Sequence, residues 1–470
     1  MKSMVPICSL LMITLLAVFV PSNSCAEKPN LVLIFCDDLG YGDLGCYGST
    51  RNRTPAVDSI AAQGIRFTQF YSSSPVCTPS RSSLMTGCYA QRVGMHQDFT
   101  GHWVLIPRSR RGLHPDETTF AEALKQRGYA TACIGKWHLG DQLEHLPTRH
   151  GFDRYFGIPY SNDMQSKRRG DPPLPILDHE KVIEAPADQA TLTQRYTDQV
   201  VRFIEENRNQ PFFVYLPHTF PHLPLFATPP FLEKSRNGKY GATIEEIDAS
   251  TARILKTLDR LDLSENTLVI FTSDNGANLA NGSSNGALAG RKGQTLEGGM
   301  RVPIVARWPG KIPRESVCHE LATTMDLLPT FLSWVDGKSW QPSAEIDGKD
   351  IRNLFLNVEG AKTPHEVFFY YRRAQLQAVR SGSWKYHLPL DQTFPAWDNR
   401  ERVGKGRPGK LINLDTDLQE TTDLSSKYPD VVARLNGFAE RARRTLGDAH
   451  RIGVEQRPVL DVENPTPRIL

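Results

Sequence analysis

The sequence has no marked excess of either charge: 55 Lys and Arg against 52 Asp and Glu leave a formal +3 over 470 residues. No long basic stripe is present, so nucleic acid is not an expected partner. The run Arg108-Ser109-Arg110-Arg111 reads as a solvated loop or a pocket wall. Internal repeats, low-complexity blocks and CxxC or Cys/His zinc spacings are also missing. A zinc-ribbon or solenoid reading is thereby excluded. Hydrophobic residues make up 39% and charged residues 23%, an ordinary globular balance. The length allows two or three domains, or one large α/β domain with an appendage.

The apolar run Ile7 to Val20 falls short of the roughly 20 residues that span a bilayer. Lys2 precedes it, and Ser24 and Ala26 occupy the −3 and −1 positions of a cleavage site. Residues 1–26 are therefore expected to be a signal peptide, and no membrane span is expected. Cysteine is sparse. Past the leader remain Cys36, Cys46, Cys77, Cys88, Cys133 and Cys318, whose spacing is not a dense disulfide framework. Cys36 and Cys133 lie in apolar, strand-like runs and are expected in the core.

Short apolar runs alternate with helical patterns, the signature of a largely parallel α/β sheet. Asn30–Phe35, Phe212–Leu216 and Thr267–Thr272 are continuous and β-rich, as strands buried on both faces should be, and Tyr129–Ile134 is a fourth. Helices are expected after Thr54-Pro55, from Thr119 to Arg127, from about Thr193 to Asn207 and from Thr243 to Leu261. After about residue 360 the texture changes. Short strands near 366–371, 377–380 and 384–388 precede a helix over roughly 429–446. The expected architecture is α/β, a large, mostly parallel sheet sandwiched by helices, with a smaller C-terminal α+β domain containing an antiparallel sheet. The expected divisions are 1–26, 27–360 and 361–470.

Each buried-strand candidate is followed at once by chemically capable residues. Asp37 and Asp38 follow the first, Lys136 and His138 the shorter fourth, His218 and His222 the second, Asp274 and Asn275 the third. Ligands of open parallel sheets bind outside the carboxyl ends of strands. Asp37, Asp38, Asp274 and Asn275 offer only oxygen, which suits Ca²⁺ or Mg²⁺ and disfavours zinc. A lone Asp there would be a turn former, but two adjacent carboxylates repel unless a cation neutralises them. In Cys77-Thr78-Pro79-Ser80-Arg81, Thr78 can cap a helix with Pro79 at its first position and Gly87 as its stop. Residue 77 then stands just before a helix N-terminus, where an anion is favoured, and Arg81 can reach back to it.

That pentapeptide matches the Cys-x-Pro-x-Arg signature of the sulfatases. Lys28 to Gly48 resembles the family's opening strand and metal loop. Gly135-Lys136-Trp137-His138-Leu139-Gly140, Thr272-Ser273-Asp274-Asn275-Gly276 and Lys292-Gly293-Gln294-Thr295-Leu296-Glu297-Gly298-Gly299 resemble further family motifs, in family order. Ile158-Pro159-Tyr160-Ser161-Asn162-Asp163 brings the resemblance closest to the arylsulfatase A branch. The resemblance implies an alkaline-phosphatase-like fold and a sulfuric ester hydrolase acting on an aryl sulfate or sulfated carbohydrate. It implies oxidation of Cys77 to Cα-formylglycine by a formylglycine-generating enzyme. As the hydrate, residue 77 would attack sulfur, and its second hydroxyl would drive release of sulfate. The cation, on Asp37, Asp38, residue 77, Asp274 and Asn275, would be Ca²⁺, with Mg²⁺ as the alternative. Arg81 and Lys136 would stabilise the formylglycine, Lys292 the sulfate. His138 would be the base for elimination and His222 the proton donor to the leaving oxygen. Ser161, Lys136, His222 and Lys292 would contact substrate. Rival readings are a phosphonate monoester or phosphodiester hydrolase of the same superfamily, and a silent binding protein for sulfated glycans. The cysteines expected of a lysosomal relative are largely missing, which favours secretion or a periplasm. Loops 95–112 and 162–192 are expected to set specificity.

Overall fold

Alternate side chains of the strand Asn30–Cys36 enter two apolar layers: Leu31, Leu33 and Phe35 on one side, Val32, Ile34 and Cys36 on the other. Such a strand needs cover on both faces, and it lies at the centre of a ten-stranded sheet. The computed structural model that shows this describes residues 28–393 and 404–470; the expected signal peptide lies outside the described residues. In spatial order the strands are Ser316–Cys318, Ile65–Phe67, Ile304–Arg307, Thr267–Ser273, Asn30–Cys36, Phe212–Pro217, Ala130–Ile134, Arg154–Gly157, Ile176–Asp178 and Lys181–Glu184. The run from Thr267–Ser273 to Arg154–Gly157 is parallel throughout, so its carboxyl ends share one edge. Ile304–Arg307 and the outer strands Ile176–Asp178 and Lys181–Glu184 run antiparallel to their neighbours.

Helices cover both faces. On one, Leu192–Glu206 turns Tyr196, Val200, Phe203 and Ile204 inward at helical spacing. The helix expected from Thr243 begins instead at Gly238, because Tyr240 donates its hydroxyl to Asp43 at 2.5 Å and anchors an earlier turn. Thr119 forms a complete capping box with Glu122 ahead of Phe120–Lys125. Cys36 and Cys133 are fully buried, as expected, and no disulfide links the six described cysteines. Among the described residues no helix is long and apolar enough to cross a membrane.

The C-terminal strands Phe368–Arg372, Gln375–Ser381, Trp384–His387 and Lys410–Asn413 form an antiparallel sheet, against which the helix Pro429–Thr445 buries Leu435, Ala439 and Ala442. A buried ionic knot joins it to Glu297, in the connection between the main-sheet strands Thr267–Ser273 and Ile304–Arg307. Lys385 lies 3.0 Å from Glu297 and 3.1 Å from Glu420, all of it buried. Tyr370 donates to Glu297 at 2.9 Å, and Tyr71 donates to the same carboxylate. Glu420 also accepts the backbone N–H of Glu297 at 2.7 Å and contacts His387 at 2.5 Å. Glu297 ends the loop that begins at Lys292.

Candidate active site

The four strands whose ends carry Asp37, Lys136, His218 and Asp274 are neighbours in the sheet. The chain turns sharply there. Asp38 and His138 adopt φ of 66° and 61°, the left-handed region that non-glycine residues occupy at a cost of about 1–3 kcal/mol. Gly135, at φ +136°, is required: a Cβ there would stand 2.0 Å from the carbonyl oxygen of Pro217. Lys136 N–H then donates to that oxygen at 2.8 Å, which aims the lysine at the strand edge.

Cys77 is the first residue of the helix Cys77–Thr86, with Val76 as its extended N-cap and Gly87, at φ 68°, as its C-cap. Thr78 is not the cap that its place before Pro79 predicts. Its hydroxyl is engaged elsewhere, donating to the His138 carbonyl at 3.1 Å and accepting from Leu105 N–H at 3.2 Å. Cys77 Sγ lies 3.4 Å from Asp37 Oδ1, and Lys292 Nζ lies 3.6 Å from Sγ. Burial, then the charge of Asp37, push the thiol well up, against the pull of Lys136 and Lys292.

Around Cys77 three buried carboxylates interleave with three buried cations. Arg81 donates to Asp274 at 2.8 Å, lies 3.4 Å from Asp37 and donates to the Lys136 carbonyl at 3.0 Å. Lys136 contacts Asp37 and donates to Ser161 Oγ at 3.1 Å. Lys292 reaches both oxygens of Asp38, at 2.6 and 2.8 Å. Burial raises Asp37, yet Lys136, His222, Arg81 and Lys292 together hold it well below the usual carboxylate range. Asp274 is pushed up to about 7 by burial and then by Asp37. Such close carboxylates are what a bound divalent cation would relieve.

Ligand atoms of Asp37, Asp38, Cys77 and His222 lie within 4.8 Å of one another. Asn275 Nδ2 donates to Asp38 Oδ1 at 2.8 Å, whereas its Oδ1 is buried with no hydrogen-bond partner. An orphaned buried carbonyl beside carboxylates fits an oxygen-ligated cation. Asp274 Oδ1 accepts the Asp38 N–H at 3.1 Å.

His138 and His222, two of the histidines that line the cavity beside Cys77, differ. His138 Nε2 lies 2.9 Å from the Leu105 carbonyl, which can only accept, so Nε2 carries the hydrogen. Its Nδ1 is therefore the lone-pair nitrogen, buried without a partner, and burial, then Lys136, hold the ring well below the usual histidine range. His222 Nε2 lies 3.8 Å from Asp38 Oδ2; burial, then Lys292, lower its pKa. His218 lies on the same segment, but both its ring nitrogens are buried without partners, and burial alone lowers it to about 3.

A cavity of about 150 Å³ opens onto Cys77, His138, Ser161, His222 and Lys292. Its other walls come from the two loops expected to vary: His102, Trp103, Val104 and Ile106 on one side, Asp163, Met164 and Arg169 on the other. Gly293, at φ +80°, admits the Trp103 ring where a Cβ would stand 2.9 Å from it, and Arg372 from the C-terminal sheet lies 5.2 Å over the indole. No periodicity or strand-end rule marks these loop residues, so sequence reasoning reached the loops and not the side chains.

Residues 29–337 match the Sulfatase family, and residues 363–458 match the C-terminal region of aryl-sulfatase. Among curated relatives, arylsulfatase A of Homo sapiens is 39% identical over 461 residues, covering 90% of this chain and 89% of the relative. N-acetylgalactosamine-6-sulfatase of Canis lupus familiaris is 38% identical over 478 residues, 93% of this chain and 90% of the relative. Among solved structures, a Bacteroides thetaiotaomicron chain described for the metabolism of multiple glycosaminoglycans superposes with a TM-score of 0.78 at 27% identity, covering 89% of this chain and all of that one. Motifs, fold and relatives agree over nearly the whole length: the chain belongs to the sulfatase family.

Proposed function

We propose that this sulfatase hydrolyses the sulfate ester of an aryl alcohol or a carbohydrate, with residue 77 as the nucleophile after oxidation of Cys77 to Cα-formylglycine by a formylglycine-generating enzyme. The observation that carries the reading is Cys77 at a helix N-terminus, lining a cavity, between Asp37 and Lys292. In its hydrated form the formylglycine supplies one hydroxyl for attack on sulfur and a second for release of sulfate. Asp37, Asp38, Asp274 and Asn275, with residue 77, would hold the cation, and its oxygen-only protein ligands favour Ca²⁺ over zinc. When bound, that cation supplies Lewis-acid charge to an oxygen of the sulfate group.

The remaining roles belong to this chain's own side chains. Lys292 and Lys136, with the helix N-terminus, neutralise the sulfate and the charge that develops on it. Arg81, locked between Asp274 and Asp37, fixes the floor. His138 offers Nδ1 as the base, since the Leu105 carbonyl fixes the hydrogen on Nε2. His222 offers Nε2 as the proton donor to the leaving oxygen, and Ser161 stands beside Lys136 for a substrate contact. The leader at 1–26 would send the protein to the outside or the periplasm, with residues 27–360 catalytic and 361–470 a smaller domain whose Arg372 backs the cavity residue Trp103.

The test is sulfate release from a panel of aryl sulfates and sulfated glycans by protein made with a formylglycine-generating enzyme. Aryl phosphonate esters form the comparison arm. Sulfate esters are expected to turn over far faster; faster phosphonate turnover, or no sulfate release, would overturn the reading.

A further inference from the structure

Two buried amides, Asn162 and Gln189, stand behind His222 on the side away from the cavity. Asn162 is fully buried and Gln189 is 5% exposed. Asn162 follows the strand Arg154–Gly157, while Gln189 opens the short turn ahead of the helix Leu192–Glu206. Gln189 Nε2 donates to the Asn162 carbonyl at 3.2 Å. Asn162 Nδ2 donates to Gln189 Oε1 at 2.9 Å and to the Pro224 carbonyl at 3.1 Å. Reversing the Asn162 amide would set its oxygen against the Pro224 oxygen, so its orientation is fixed. Oδ1 therefore faces outward, 3.1 Å from His222 Nδ1, and the Leu223 carbonyl lies 2.5 Å from the same nitrogen. Two acceptors at one ring nitrogen require that it carry a hydrogen. Nε2 is left facing Asp38 and the cavity.

We propose that Asn162, braced by Gln189, is a positioning residue that holds His222 with a hydrogen on Nδ1, so that Nε2 delivers the proton to the leaving oxygen. This rests on the reading of His222 as proton donor. As the S–O bond breaks, its electrons pass to the leaving oxygen, which takes the proton from Nε2. His222 therefore enters the step as the imidazolium, its Nε2 having taken a second proton from water before the ester binds; it leaves as neutral imidazole, keeping the Nδ1 hydrogen on Asn162 and Leu223, and the leaving group departs as a neutral alcohol. A phenol that is already a good leaving group needs little of this help, and a sugar or alkyl hydroxyl needs most of it.

The experiment measures kcat and KM for phenyl sulfates of rising leaving-group pKa with the formylglycine-loaded full chain. His222→Ala is expected to lose about 100-fold in kcat on the poorest leaving group and far less on 4-nitrophenyl sulfate. Asn162→Leu, equal in shape but without an acceptor, is expected to show the same pattern at about 10-fold, with KM little changed. Gln189→Leu, remote from substrate, is expected to move the slope the same way by a smaller factor. If His222→Ala steepens the dependence while Asn162→Leu and Gln189→Leu slow all esters equally, or leave them unchanged, the positioning role is wrong. If His222→Ala itself leaves the slope unchanged, the proton-donor reading fails, and the positioning proposal fails with it.

Discussion

Lys292 is the residue whose replacement bears most directly on how the cavity handles charge. Its ammonium lies between both oxygens of Asp38 and Cys77 Sγ, within reach of any anion seated over residue 77. Lys292→Ala is expected to lower kcat/KM for aryl sulfates by about 100-fold or more; steady-state kinetics showing a loss of only a few-fold would remove it from the machinery. Thr78→Val removes a hydroxyl that ties the His138 and Leu105 backbones together. It is expected to destabilise the protein by about 1–3 kcal/mol, because Leu105 N–H loses its acceptor; denaturant titration measures this, and an unchanged midpoint would contradict it. The residue scale also shows where sequence reasoning works. Asp37, Asp38, Lys136, Asp274 and Asn275 were legible because each lies within two residues of the end of a buried strand. The Thr78 cap was misread because Thr before Pro is a good local cap, and only the tertiary fold brings a carbonyl and an amide from two other loops to claim its hydroxyl. Trp103, Asn162 and Arg169 lie in loops, where no period distinguishes an inward side chain from an outward one.

At the scale of elements, the knot of Glu297, Lys385 and Glu420 couples the C-terminal sheet to the loop bearing Lys292. Burial raises Glu297, but Lys385, Arg380 and Arg301 outweigh it and hold the carboxyl at about 2, below its ordinary 4.5. A lowered folded-state value means that ionised Glu297 stabilises the fold above about pH 4.5, and that this contribution is lost as pH falls toward 2. Lys385→Met leaves two buried carboxylates without their shared cation and is expected to cost about 3–5 kcal/mol at neutral pH. Because protonation relieves those carboxylates, the penalty should shrink on acidification. Chemical denaturation at neutral pH and near the acid end of that window reads both; a penalty independent of pH would show that the knot is not electrostatic. The four central strands were legible because each is a continuous apolar run buried on both faces. Ile65–Phe67 is three residues long, and Lys181–Glu184 is half-exposed and charged, so neither rises above its surroundings.

Across the whole molecule, the net charge of +3 says little, since the relevant charges are local and buried. Asp37, Asp38 and Asp274 balance Arg81, Lys136 and Lys292, so a divalent cation leaves the cavity positive before an anionic ester arrives. Chelation of the holoprotein is therefore expected to abolish turnover and lower the melting temperature, with Ca²⁺ restoring both. A ligand at 100 times its Kd adds about 2.7 kcal/mol. Retention of full activity after exhaustive chelation, verified by metal analysis, would contradict the oxygen-ligated site. The layered fold and the strand-edge site were readable from the chain, whereas the way Arg372 of the C-terminal sheet backs the cavity residue Trp103 depends on contacts between segments far apart in sequence. The central claim is that residue 77 acts as an aldehyde. Mass spectrometry of the peptide spanning Cys77, taken from catalytically active protein, is expected to find formylglycine in proportion to specific activity. Full sulfate release from protein carrying only the unmodified thiol would contradict it.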